Sequence, residues 1–329
     1  MPQIAHPRVV VTRKLPDTVE ARMRELFAAQ LNEADRRMSR DDLATAMADA
    51  DVLVPTLTDR IDAELIAGAG PQLKLIANFG NGVDHIDLAA ARARGIIVTN
   101  TPGVLTDDAA DMAMALILAV PRRLSEGERL VRSGDWHGWG PTAMLGRRVS
   151  GKALGILGMG RIGQAIAMRA RGFGMKVHYQ NRKRLPEVVE RAVDATWHER
   201  LDDMLTEIDV LSVNCSHNPS THRLIDAGRL ELLGRDGYLV NISRGQIVDE
   251  PALIAALEKG TIGGAGLDVF AHEPAVDPRL LARPNVVLLP HMASATIEAR
   301  HATGEKVIAN IRMWADGHRP PDQVLEGWA

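Results

Sequence analysis

Over the first hundred positions, apolar residues come in short β-branched runs separated by alanine-rich stretches. The runs at 9–12, 51–54, 73–77 and 95–99 predict strands, and the stretches at 18–30, 40–49, 60–69 and 86–94 predict helices between them. Short strands joined by helices imply a parallel sheet covered on both faces. A longer apolar segment follows at about 107–124, opened by the cap candidates Thr106 and Asp107 and closed by Pro121, Arg122 and Arg123 as a helix exit. The stretch 133–150 has no clean period and carries Trp136, Trp139, Pro141 and several glycines, so it reads as a loop or arm. Two tryptophans are unusual in a solvated loop, which leaves packing against another subunit as an open reading.

From Lys152 the strand-helix rhythm restarts. Strands are predicted at 153–157, 175–179, 209–213, 238–242, 264–268 and 286–289, with helices near 161–172, 201–206, 226–233 and 250–259. Six strands with crossovers describe a complete doubly wound sheet. A last helix is predicted at about 295–316, before a tail over 317–329. That helix cannot extend the nucleotide-binding sheet, so a return to the first domain is the expectation. The two α/β halves are not obvious sequence repeats.

Composition narrows the classes. A chain of 329 residues, 46% hydrophobic and 25% charged, is long enough for two domains and excludes a disordered or collagenous protein. A net charge of −3 gives no electrostatic case for nucleic acid as the main ligand. The single cysteine, Cys215, excludes an internal disulfide and a cysteine-rich zinc site, and no metal ligands are assigned. Neither an export segment nor a membrane span is indicated, so the cytoplasm is the expected compartment.

The most informative local motif is Gly158-Met159-Gly160-Arg161-Ile162-Gly163, which follows a predicted strand and opens a predicted helix. Gly158 would permit the tight turn, Gly160 would let the backbone approach a pyrophosphate, and Gly163 would let helix and sheet pack closely. The N–H groups at the helix start would meet the phosphate oxygens. The alternative is a glycine-rich turn that serves packing alone. Eighteen residues beyond Gly163 stands Asn181, where an NAD site normally places a carboxylate, and Arg182, Lys183 and Arg184 follow at once. The missing carboxylate and the cations favour NADP(H), with NAD(H) still open, because Arg182 can pair with a 2′-phosphate. A solvated basic turn is the plainer reading.

Three polar residues follow three predicted strands: Arg244, Glu273 and His291. The carboxyl ends of strands line the ligand crevice in such a sheet, so the three are expected to converge. Their chemistry suits a 2-oxo acid. Histidine can supply the proton that accompanies hydride transfer. Glu273 would orient it, and Arg244 would clamp the substrate carboxylate and polarise the carbonyl. Asp268, at the end of its strand, could accept from a nicotinamide amide or serve only as a structural cap. In the first domain, the small-residue turn 78–84 directly follows a strand, and the Asn81 and Gly82 amides could form an anion nest. A plain turn is the alternative there.

These motifs, with Gly82-Val83-Asp84-His85, Thr101-Pro102-Gly103-Val104-Leu105-Thr106, Asn241-Ile242-Ser243-Arg244-Gly245, Glu273-Pro274 and Leu289-Pro290-His291, give the chain a clear likeness. It resembles the D-isomer-specific 2-hydroxyacid dehydrogenases, and within them the glyoxylate and hydroxypyruvate reductases. The resemblance implies that Arg244, Glu273 and His291 match the family's catalytic trio and that Asn81 and Gly82 match its carboxylate-binding amides. It also implies cofactor contacts at Thr106, Gly158, Gly160, Arg161, Ile162, Gly163, Asn181, Arg182, Lys183, Ile242, Asp268 and His291. The implied fold is a pair of doubly wound parallel-sheet domains. A Rossmann nucleotide-binding domain at 104–295 is inserted in a flavodoxin-like substrate domain at 1–103 plus 296–329. The implied assembly is a homodimer, with the arm after the long helix reaching toward the partner. Ala143 and Met144 stand where these reductases often carry a bulky side chain, which puts strict preference for the smallest substrates in doubt.

The expected function is an NADPH-preferring reduction of small 2-oxo acids, glyoxylate and hydroxypyruvate to glycolate and D-glycerate. The rivals are a 2-oxogluconate reductase, a phosphoglycerate dehydrogenase-like enzyme, and an NAD(P)H-sensing binding protein.

Overall fold

Strand residues of the first unit alternate between two cores. In the computed structural model, which describes residues 4–325, β1 (Arg8–Val11), β2 (Ala28–Gln30), β3 (Val52–Val54), β4 (Leu75–Ala77) and β5 (Ile97–Thr99) form one sheet in the order β2-β1-β3-β4-β5. Its strands pair in parallel. Val9, Val11, Val52 and Val54 face one core, and Val10, Leu53, Ile76 and Val98 face the other. Burial on both faces explains why these strands read as continuous apolar runs. The helix Ile297–Ala315 lays Val307, Ile308, Ile311 and Trp314 into the first of these cores, so the chain does return to this unit.

The second unit spans Thr106–Ser294, and the first comprises Met1–Leu105 with Ala295–Ala329. The first three and last four residues, the end of the predicted tail among them, lie outside the described residues. In this unit β6 (Ala153–Leu157), β7 (Lys176–Gln180), β8 (Ala195–His198), β9 (Val210–Val213), β10 (Tyr238–Asn241), β11 (Gly264–Leu267) and β12 (Val286–Leu288) form a parallel sheet in the order β12-β11-β10-β9-β6-β7-β8. Succession reverses at β6, which has β7 on one side and β9 on the other. Such a reversal opens a crevice at the carboxyl ends of the strands, where ligands of open α/β sheets bind. The helices Thr106–Ala119 and Arg161–Gly172 cover one face, and Ala227–Leu233 and Glu250–Lys259 cover the other.

The structure adds elements that the pattern did not predict. Ala28–Gln30 is an edge strand rather than the end of a helix, because Phe27 turns extended at φ −137° and buries its ring. Strand β8 makes the second sheet seven-stranded rather than six-stranded. The 107–124 segment ends as a helix at Ala119, and after Arg123, at φ 56°, a separate helix Leu124–Ser133 begins. That helix buries none of its residues. Short helices at Glu187–Val193 and Pro278–Leu281 also escaped the pattern.

Candidate active site

The glycine loop follows β6 at the point of reversal. Gly158 has φ 97°, and a Cβ there would stand 2.6 Å from the Cys215 amide nitrogen after β9. Gly163 has no room either, since its Cβ would lie 2.4 Å from the Gly158 carbonyl oxygen. Gly160 differs: a Cβ there would meet nothing within 4 Å. Two glycines therefore hold strand, turn and helix together, while the third presents bare backbone at the start of the helix Arg161–Gly172. That arrangement fits a dinucleotide, whose pyrophosphate needs close backbone approach and the positive end of a helix. Asn214, beside Gly158, adds a buried Oδ1 with no hydrogen-bond partner among the described residues. Burial pushes the neighbouring Cys215 thiol up to about 11, so it stays protonated and unreactive near neutrality.

Other expected cofactor positions divide by exposure. Ile242 is 9% exposed and packs in the core behind the loop, joined there by the half-buried Ile162. Thr106 opens its helix, and Arg161 is exposed at the start of its own. Asn181 lies just past β7, and its Oδ1 accepts from the Met159 amide at 2.7 Å, which ties the strand end to the glycine loop. Arg182 and Lys183 are exposed.

Arg184 is engaged elsewhere. Its Nε and Nη2 donate to the two Glu190 oxygens at 2.9 and 2.8 Å. The Tyr179 hydroxyl donates to the same carboxylate at 2.5 Å. The Arg184 and Tyr179 hydrogen bonds hold the Glu190 carboxyl down at about 2. Burial, with the Glu190 contact adding to it, pushes the Tyr179 phenol up to about 12.

On the other side of β6, the ends of β10, β11 and β12 carry the polar trio. Buried Asn241 organises the turn after β10. Its Oδ1 accepts from the Ser243 amide at 3.0 Å and its Nδ2 donates to the Arg244 carbonyl at 2.9 Å. Gly245 then packs so tightly on the next strand exit that a Cβ would stand 1.9 Å from the Phe270 carbonyl carbon. Arg244 is thereby brought to the neighbouring strand exit, and its charge is among those that lower the Glu273 carboxyl.

Glu273 accepts from the Phe270 amide at 3.0 Å through Oε1 and contacts His291 Nδ1 at 2.7 Å through Oε2. Burial opposes its ionisation, but the hydrogen bonds from His291 and Phe270 outweigh that and hold the carboxyl below its ordinary range. The Glu273 and His291 side chains keep 28% and 24% exposure, enough for a ligand to reach them.

His291 stands at φ 53°, a region that residues other than glycine visit rarely. Asp268 holds it there. The His291 amide donates to the Asp268 carbonyl at 2.8 Å, while the Met292 and Ala293 amides donate to the two carboxylate oxygens at 2.7 and 2.8 Å. Asp268 is fully buried, and burial raises its pKa despite these amides. Both oxygens that could meet a carboxamide thus already position the His291 loop.

In the first unit, Asn78 shapes the turn after β4. Its Nδ2 donates to the Gly80 and Gly82 carbonyls at 3.0 and 2.9 Å, and its Oδ1 meets His85 Nε2 at 3.1 Å. Asn100 Nδ2 engages the Asn81 carbonyl at 2.8 Å. With these carbonyls tied down, the Asn81 and Gly82 amides face no backbone acceptor among the described residues. The sequence alone assigns no role to the side chains of Asn78 and Asn241, which the structure shows organising their turns. The available signal was an asparagine at a strand end followed by small residues, a setting in which its side chain replaces turn hydrogen bonds.

A glycine loop at the reversal of a parallel sheet, with an acid-imidazole pair at the ends of β11 and β12, three and four strands away, has the chemistry that a nucleotide-dependent oxidoreductase needs. The profile described as "D-isomer specific 2-hydroxyacid dehydrogenase, NAD binding domain" matches residues 114–293. A glyoxylate reductase of Thermococcus onnurineus is 44% identical over 322 residues, covering 97% of this chain and 96% of its own. One of Korarchaeum cryptofilum is 43% identical over 321 residues, covering 97% and 96%. The crystal structure of an NADPH-dependent glyoxylate/hydroxypyruvate reductase of Sinorhizobium meliloti, in complex with NADP and malonate, superposes with a TM-score of 0.87. It is 38% identical and covers 98% of this chain and 97% of its own. The chain belongs to the D-isomer specific 2-hydroxyacid dehydrogenase family, and it is an NAD(P)H-dependent oxidoreductase that uses a nicotinamide cofactor. Among the described residues, no helix is long and apolar enough to cross a membrane.

Proposed function

We propose that the protein is an NADPH-preferring reductase of small 2-oxo acids, converting glyoxylate to glycolate and hydroxypyruvate to D-glycerate, as a cytoplasmic homodimer. The contact of 2.7 Å between His291 Nδ1 and Glu273 Oε2 carries this reading. Donation from Nδ1 to the carboxylate fixes the ring and leaves Nε2 to hold the proton for the substrate. A bound reduced nicotinamide supplies the hydride to the carbonyl carbon. His291 delivers its proton to the carbonyl oxygen, which completes the hydroxyl group. Glu273 keeps the ring oriented through Nδ1 during that transfer, which leaves a neutral imidazole. Arg244 binds the substrate carboxylate, and a planar guanidinium suits it in two-point contact. The Asn81 and Gly82 amides are the first unit's anion-binding groups.

Gly158, Gly160 and Gly163 with the Arg161 and Ile162 amides would hold the pyrophosphate. Arg182 and Lys183, exposed beyond Asn181, would hold a 2′-phosphate. Glyoxylate reductase relatives at 44% and 43% identity and an NADPH-dependent neighbour support the substrate and cofactor chosen. Initial rates over a panel of 2-oxo acids with NADPH and with NADH test the reading. The expected result is the highest kcat/KM for glyoxylate or hydroxypyruvate with NADPH. A higher value with a bulky 2-oxo acid would overturn the substrate, and a higher value with NADH would overturn the cofactor.

A further inference from the structure

At the far edge of the second sheet, remote in sequence from the catalytic trio, two histidines and a glutamate meet. His178 lies on β7 and His198 on the edge strand β8, whose register pairs His178 with Thr196 and Gln180 with His198. Alternation along the strands puts both imidazoles on the same face. His178 Nδ1 and His198 Nε2 are 2.9 Å apart, and Glu207, just beyond the helix Leu201–Leu205, brings Oε2 to 3.9 Å from His178 Nδ1. One ligand atom from each residue lies within 4.8 Å of the others.

We propose that His178, His198 and Glu207 form a binding site for a borderline divalent transition-metal ion, Zn2+ being the probe of choice. Two imidazole nitrogens and one carboxylate oxygen suit Zn2+ and its neighbours, whereas Mg2+ and Ca2+ require oxygen shells. Bonds of about 2.0–2.1 Å place two nitrogens on one ion roughly 3.0–3.4 Å apart. Seating the ion therefore asks the rings to part by only a few tenths of an ångström. Lys176 stands on the same face of β7 and opposes the ion's charge, which makes the Glu207 carboxylate necessary to the site.

The ion would join β7, β8 and the segment after the Leu201–Leu205 helix. Its role is to fasten the sheet edge from which Asn181 and Arg182 project. No cysteine pair or short ligand spacing announced this site, because its residues are brought together by strand register.

Equilibrium dialysis of the chelator-treated full chain against Zn2+ tests the proposal, read alongside thermal melting with and without the metal. The wild type is expected to bind one Zn2+ per chain at this site and to melt higher with it, since a ligand of the native state stabilises that state. Glu207→Gln should weaken binding by about tenfold or more, and His178→Gln with His198→Gln should abolish both uptake and the melting shift. Because His178 is partly buried, the exposed-side variant Glu207→Gln guards against a folding defect in the double variant. Co2+ in place of Zn2+ should give visible ligand-field bands that disappear in the same variants. Absence of Zn2+ uptake by the wild type, or equal uptake by the double variant, overturns the site. The second outcome would move binding to other histidines, such as His217 and His222, whose Nε2 and Nδ1 lie 3.2 Å apart.

Discussion

Glu273 and His291 are 18 positions apart but stand side by side because β11 and β12 are neighbours that end at the same edge. The depressed Glu273 pKa carries a definite sign. Its stabilising contribution is full above the ordinary value of 4.5 and is lost as pH falls through the lower native value. Glu273→Gln should therefore be less stable than wild type in urea at neutral pH, with the gap closing in acid. A gap independent of pH would mean that Glu273 contributes packing alone. For the reaction, His291→Ala should lower kcat by about 10²–10⁴, or about 3–5 kcal/mol, while NADPH binding in fluorescence titration stays near wild type. Unchanged kcat with both substrates, where chemistry limits turnover, would reject His291 as the proton donor. Asp268 has the opposite sign, since its raised pKa makes its contribution decline as pH rises. Asp268→Asn turns an amide N–H toward another N–H at Met292 or Ala293. The expected loss is about 1–3 kcal/mol of stability together with reduced kcat, read by denaturation and initial rates.

The strand-end segment after β7 shows how one basic run divides into different tasks. The sequence places Arg182 and Lys183 among the cofactor contacts and leaves Arg184 outside them, and in the structure Arg184 is latched to Glu190 on the helix Glu187–Val193. That helix escaped the reading because its sequence, Glu-Val-Val-Glu-Arg-Ala-Val, is short and half polar. Strand β8 escaped for a related reason: an edge strand of Ala-Thr-Trp-His needs no continuous apolar run. Central strands such as Ala153–Leu157, buried at every position, and helices with side-chain caps such as Glu250–Lys259 stood where the pattern put them. The division at β7 can be tested. Arg182→Ala should raise the NADPH KM far more than the NADH KM, whereas Arg184→Ala should lower the melting temperature with little change in cofactor ratio. Equal effects of Arg182→Ala on both cofactors would remove it from 2′-phosphate recognition.

For the molecule as a whole, the two parallel sheets were legible because each rests on apolar runs that no other architecture would bury. Less legible were the residues that act through the backbone. Asn78, Asn241 and Gly245 set the positions of their turns through contacts visible only once strands are side by side. Least legible was the region after Pro121. The helix Leu124–Ser133 buries none of its residues, and Leu124, Val131, Trp136, Trp139 and Leu145 are 54%, 59%, 57%, 85% and 64% exposed. An isolated ten-residue helix is marginal in water, and its stability normally comes from packing its apolar face. So much apolar surface within one short stretch is what an association site would present. A second copy of the chain is the partner that the homodimer reading supplies. Sedimentation at micromolar concentration should give about twice the 35.7 kDa of one chain. Val131→Glu combined with Trp139→Glu should shift it toward one. Both substitutions lie at exposed positions, so a monomer that retains the wild-type circular dichroism would locate the interface, whereas a wild type that stays monomeric throughout that range would refute the dimer.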